Sequence, residues 1–168
     1  AEPTLAAAER AARVKNYREA HRLFDEVIKT DPMFFSGVAL RKFRMMLVEE
    51  KNPDAAWGYA MALVQMYSGD PETLREIAVD ITTNPDYENP NLDIALAAAQ
   101  AAVQARGTTD ADVLATLALV QYHRKEIEEA IESQMQAWMV AAPGRKEAFR
   151  RTLDNYRTAA ERSARMTK

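Results

Sequence analysis

The residues in this chain that could perform chemistry are few, and their spacing decides most of what they can do. The two histidines, His21 and His123, could each act as a general base or a metal ligand. Either role needs partner groups at short helical spacing, as in an HExxH motif. No HExxH is present, and the two histidines fall in different parts of the chain. Glu126, Glu128, Glu129 and Glu132 gather at a helix start, where the helix dipole already favours acids. Cysteine is absent, which removes thiol nucleophiles, disulfides and CxxC redox pairs from this chain. The five glycines form no phosphate-cradling loop. We therefore expect no catalytic residue, no cofactor and no metal ion. The eight methionines, Met45, Met46, Met61, Met66, Met135 and Met139 among them, could build a soft-metal site or a pliable groove. Most share stripes with Leu and Ala, so core filling is the expected role. Trp57 and Trp138 are expected to pack between helices.

What is left is recognition, and that depends on the elements that would present a surface. A chain of 168 residues, 48% of them apolar, can bury a sizeable core as one domain. With five Gly and seven Pro, it favours helices over strands. No apolar run approaches the roughly 18 to 20 residues needed to cross a bilayer. The most apolar windows, such as Ile94 to Val103, are Ala-rich and flanked by charge, so they read as packed helices. A net charge of −3 argues against general nucleic-acid binding. The charge is uneven: from Gly144 onward there are eight Lys and Arg against three Asp and Glu, so this segment carries +5 and the remainder −8. The first residues, Ala1-Glu2-Pro3-Thr4, resemble neither a start codon product nor a signal peptide, as a cut or processed terminus would.

Hydrophobic periodicity then organises the chain into helix pairs. Residues 4–32 pair two helices around a turn at Lys15-Asn16-Tyr17. Residues 33–70 form a second pair, with Val38, Leu40, Phe43, Leu47 and Val48 on the inner stripe of a helix reaching about Glu50. Lys51-Asn52-Pro53-Asp54 turns into its partner, proline suiting a first helical turn. Ser68-Gly69-Asp70-Pro71 offers a glycine stop and a proline start. Residues 71–106 form a third pair interrupted by a long polar loop, Thr82 to Asn91, with two prolines. Residues 110–143 form a fourth, with Leu114, Leu117, Ala118 and Tyr122 facing Ile127, Ala130, Ile131, Met135 and Trp138. Residues 144–166 make one solitary helix striped by Phe149, Leu153, Tyr156 and Ala160, as expected of a cap closing a row of repeats.

Two segments resemble tetratricopeptide (TPR) repeats, whose period is about 34 residues. The first carries A-x11-A-x3-F-x7-P as Ala8, Ala20, Phe24 and Pro32; the fourth carries L-x2-L-A-x11-A-x6-A as Leu114, Leu117, Ala118, Ala130 and Ala137. In the fourth, Gln134 replaces the usual large apolar residue, Gln121 stands where an aromatic is common, and Pro143 comes one residue late. The resemblance implies an all-α, TPR-like right-handed stack of about four antiparallel helix pairs with a C-terminal capping helix, forming a single domain over 1–168. It also implies that the first helix of each pair lines a concave surface. On this chain that surface would carry Leu5, Glu9 and Arg13, then Arg41, Lys42 and Met45, then Arg75 and Val79, then Thr116, Leu119 and His123. Cations beside apolar side chains suit a protein or peptide partner carrying a carboxylate or acidic side chain.

A narrower similarity covers the last half of the chain. The strings from Asn89, from Asp112 and from Glu129 to Pro143 resemble the helical region that follows the redoxin domain of some bacterial thioredoxin-like proteins. It implies an accessory domain that positions a catalytic neighbour, and it leans towards a periplasmic or otherwise extracytoplasmic setting over a cytoplasmic one. The expected function is a non-catalytic protein-interaction scaffold, with that accessory role as one alternative. Self-association into a homodimer through Trp57 or the Phe34-Phe35 pair is another.

Overall fold

The computed structural model describes residues 1–168 and is all-helical, with no strand. Nine α-helices follow one another and pack in adjacent pairs: α1 (Glu2–Arg13), α2 (Tyr17–Thr30), α3 (Ser36–Arg44), α4 (Pro53–Met66), α5 (Pro71–Thr83), α6 (Leu92–Arg106), α7 (Ala111–His123), α8 (Ile127–Val140) and α9 (Lys146–Met166). None is long and apolar enough to cross a membrane. By their contacts the residues fall into two compact units, one of residues 1–67 and 86–88, the other of residues 68–85 and 89–168.

Local chemistry sets the helix ends. Asn16, Asn52, Asp70, Asn91 and Asp110 each accept a hydrogen bond from a backbone N–H of the first turn that follows, satisfying donors that a helix start leaves free. Pro53 and Pro71 occupy first-turn positions, where their fixed φ and missing N–H cost nothing. The tight turns α1–α2, α3–α4 and α7–α8 share one device: Lys15, Lys51 and Lys125 adopt φ of 60°, 57° and 68°. This left-handed residue folds the chain back so that the next amide closes the turn. Asn16 N–H reaches the Ala11 carbonyl at 2.8 Å and Glu126 N–H the Gln121 carbonyl at 2.9 Å, each five residues back.

In the first unit the middle turn differs by one residue. Asn52 N–H reaches Met46 O, six residues back, because α3 runs on into a π-helical turn over Met45–Glu49. A π-turn inserts a residue and rotates all that follows. Consecutive Met45 and Met46 are therefore buried, while Leu47 and Val48, expected on the inner stripe, are only partly covered. The core contains Ala8, Ala20, Phe24, Ala39, Phe43, Ala56, Ala60 and Leu63, all at most 1% exposed. The alanines let helix axes approach, and the aromatic rings fill the space left between them. Gly69 does not stop α4: Tyr67 caps it with backbone φ −101° and is buried, its hydroxyl donating to the Pro32 carbonyl at 2.7 Å. Tyr87 also belongs to this unit, its ring edge-on to Phe43 at 5.7 Å and to Trp57 at 6.4 Å. Most methionines do not fill the core: Met33, Met61, Met66, Met139 and Met166 are exposed. On α4, for example, Ala56, Ala60, Leu63 and Val64 take the inner face and leave Met61 and Met66 outside.

In the second unit α5 packs on α6 and α7, α7 on α6 and α8, and α9 on α8. Gly107, at φ 84°, ends α6 and donates its N–H to Val103 O at 2.7 Å. The striped face of α9 closes over the α7–α8 pair: Phe149 joins Leu114, Ala137 and Ala141, and Tyr156 joins Ala118 and Ala130. Tyr122 stacks on Tyr156 with centroids 4.5 Å apart. Lys146 anchors the start of α9 by donating to the Trp138 and Met139 carbonyls at 2.8 and 3.0 Å, in the last turn of α8, where the helix dipole favours a cation.

Candidate functional site

The eight residues expected to face a partner fall into two sets. In the first unit two of the three cations, Arg41 and Lys42, are engaged within the fold. Arg41 binds Glu9 through two hydrogen bonds of 3.0 Å, reaches Glu49 at 2.8 Å and lies 5.8 Å from the Phe24 ring centroid. Burial opposes its charge, but the bonds to Glu9 and Glu49 outweigh it and hold its pKa above the ordinary value. Lys42 is 8% exposed, donates to Asp25 at 2.7 Å and sits 4.6 Å from the Tyr59 ring centroid. Met45 is fully buried. Arg13 is exposed at the end of α1.

The second unit brings Arg75, Thr116 and Leu119 to the wall of one cavity of about 420 Å³. His123 lies one turn beyond Leu119, exposed, with Nδ1 3.0 Å from the Leu119 carbonyl; it does not line the cavity. The opposite wall is α9, through Ala148, Phe149, Thr152 and Tyr156, and Gln134 of α8 also lines the space. The mouth is ionic and internally balanced. Arg145, just before α9, grips Asp112 with two hydrogen bonds of 2.6 and 3.2 Å and lies 5.0 Å from the Phe149 ring centroid. The Arg145 guanidinium holds the Asp112 carboxyl below the usual carboxylate range, against a smaller opposing effect of burial. Arg75 donates Nε to Thr116 Oγ1 at 3.3 Å and Nη1 to Glu72 at 2.9 Å. Thr116 Oγ1 in turn donates to the Asp112 carbonyl at 2.9 Å. Burial pushes the Tyr156 phenol up to about 12, so this wall stays neutral at ordinary pH.

Gln134 is the unusual member. It is 1% exposed, and its Nε2 donates to the Phe149 carbonyl at 3.0 Å. Its Oε1 has no partner, one of two buried side-chain polar atoms left so, with Thr82 Oγ1. Turning the amide over would set oxygen against the Phe149 oxygen, so the carbonyl fixes which way it points. A buried acceptor without a donor costs about 1 to 3 kcal/mol. A large apolar residue at this position, the common choice for such a repeat, would carry no such cost. The substitution was visible in the sequence; its burial against a cavity was not. Arg145, Asp112 and Phe149 carried no sequence signal for a site, because α9 reads as a cap and supplies the far wall only once folded.

No group of three or more His, Asp or Glu side chains is placed to hold a metal ion. His21 Nε2 lies instead 2.8 Å from a Glu50 carboxylate oxygen, within hydrogen-bonding distance, in the first unit. A larger hollow of about 600 Å³, between the α7–α8 turn and the end of α9, contains none of the eight expected residues. No family model matches the chain, and no curated protein matches it.

Proposed function

We propose that this chain is a non-catalytic interaction scaffold of TPR-like helix pairs, which takes a segment of a protein partner in the cavity walled by α7 and α9. The observation that carries the reading is the cavity itself: about 420 Å³, lined by three of the residues that the repeat spacing assigned to a partner-binding face. Its volume falls in the range of small-ligand clefts. Leu119, Ala115 and Phe149 supply apolar wall, and Thr116, Gln134 and Arg75 supply directional polar groups, the mixture that fixes a ligand's orientation. The TPR-like identity of the pairs draws support from the shared left-handed lysine at three turns and from Ala8, Ala20, Ala118 and Ala130, each 0% exposed.

Selection from a phage-displayed library of random peptides on the immobilised chain tests the reading. Bound peptides should be lost on Ala148→Trp, which sets an indole over the mouth from an exposed position on α9. Peptides that bind this variant as well as the parent would refute it. A second reading, self-association, is favoured by Phe34, which is 76% exposed beside an edge-on Phe35 at 4.9 Å. Sedimentation of the parent and of Phe34→Ser decides: a monomer at high concentration removes it.

A further inference from the structure

We infer that the hollow of about 600 Å³ between the α7–α8 turn and the end of α9 is a second subsite of the partner-binding groove, taking an anionic side chain of the same segment. The inference rests on the peptide-binding reading above and adds where a charge on the partner must lie. Position comes first. Along α9, Thr152 lines the α7–α9 cavity, and Asn155, Ala159, Arg162 and Met166 line the hollow. These residues follow one another at steps of three or four, so they share one face of the helix. On α7, Leu119 lines the cavity and Tyr122 the hollow. Tyr122 stacks on Tyr156, a wall of the cavity, with centroids 4.5 Å apart, so this ring pair divides two spaces that lie in line. The α9 residues that line them are centred about nine residues apart, roughly 14 Å along the helix, which an extended segment covers in about four residues.

Charge comes second. Lys125 and Arg162 line the hollow, and no Asp or Glu does. Neither is held in an ion pair, whereas cations beside them in the chain are: Arg124 pairs with Asp93 and Glu126, and Arg157 with Asp154. The α7–α9 cavity differs, because its Arg145 and Arg75 are matched by Asp112 and Glu72. Asn155 and Ser163 add N–H and O–H donors, while Tyr122, Ile127 and Ala159 give an apolar floor for the stem that carries the charge. A cationic side chain would meet two like charges there. An apolar one would strip water from both cations without return. An oxyanion, the carboxylate of Asp or Glu or a phosphomonoester, gains from both cations and from the donors beside them.

The library-selected peptides supply the probe. Peptides selected on the full parent chain should share an Asp or Glu at one position. In a synthetic copy, exchanging that acid for its amide should weaken calorimetric binding to the parent about tenfold, the worth of two exposed ion pairs. On the double variant Lys125→Gly with Arg162→Ser the same exchange should change nothing. Both substitutions spare the fold: glycine takes the φ of 68° found at Lys125 without strain, and Arg162 is exposed. High salt should erase the preference for the acid. A copy carrying phosphoserine at that position separates the two sources of the oxyanion. Binding more than tenfold tighter than the glutamate copy assigns the subsite to a phosphorylated partner, and any weaker binding assigns it to Asp or Glu. Peptides with no shared acid would overturn the proposal, as would an amide copy that binds equally well or a double variant that keeps the preference. Such peptides would still obey the Ala148→Trp block and leave peptide binding standing. Peptides that ignore Ala148→Trp would refute the underlying reading, and this inference with it.

Discussion

Replacing Gln134 by Met should make the free protein more stable. The two side chains are unbranched and similar in reach, so the change exchanges polar atoms for apolar ones with little change of shape. One hydrogen bond is lost, from Nε2 to the Phe149 carbonyl at 3.0 Å, worth about 1 kcal/mol. That carbonyl lies inside α9 and keeps its place in the helical ladder, so it is not left bare. Against this stands relief of the unpartnered Oε1, about 1 to 3 kcal/mol. A further gain of about 1 kcal/mol comes from apolar atoms at a position 1% exposed. The net is a stabilisation of about 1 to 3 kcal/mol. For a chain of this size, each kcal/mol moves the melting temperature by about 2 to 4 °C. Urea unfolding followed by circular dichroism measures the difference directly, and Gln134→Glu is the opposing control. A carboxylate there would have to sit buried without a cation, or take up a proton, and should destabilise. A Gln134→Met protein less stable than the parent by 1 kcal/mol or more would refute the reasoning. It would show that Oε1 is well satisfied in the free fold.

Three further outcomes follow from the same geometry. Lys125→Gly should stabilise the second unit by about 1 kcal/mol in thermal unfolding, because a lysine at φ 68° bears a left-handed strain that glycine lacks. Lys42→Glu should destabilise the first unit by about 3 kcal/mol in urea, since it sets a carboxylate against Asp25 at a position 8% exposed. The figure is taken at the low end because Asp25 is 43% exposed. The Asp112–Arg145 pair should make stability fall on acidification. Arg145 depresses the Asp112 pKa in the folded state, so its contribution is present above the unfolded value of about 3.9 and is lost as pH falls through the folded one. Melting curves of the parent and Asp112→Asn should therefore converge as the pH is lowered below about 4.

What the sequence reveals and what it hides divide along one physical line. Helix pairs are legible because burial is periodic. Ala8, Ala20 and Phe24 fall at the spacing that brings two helices together, and all three are completely buried. Helix starts are legible because Asn52 before Pro53, and Asp70 before Pro71, are local signals read within one turn. The π-turn at Met45–Glu49 breaks the period from within, and no residue there announces it. Arg41 and Lys42 lie on the helix expected to present them, yet Glu9 and Asp25 from the first helix pair, and Glu49 from the π-turn that extends α3, bind them. Tyr87 shows the same limit in a polar loop: its burial against Phe43 and Trp57 is a tertiary fact. The TPR resemblance assigns Thr116 and Leu119 to a presenting face, whereas the opposite wall of the cavity they line comes from α9, which spacing marks only as a lid.

Hydrogen–deuterium exchange of the whole chain, with and without a library-selected peptide, tests the central claim most directly. The account predicts slowed exchange in α7 around Thr116 and Leu119 and in the first turns of α9 around Phe149, with the amides of α1 to α4 unaffected. Protection confined to α1–α4, with α7 and α9 exchanging as in the free chain, would contradict it.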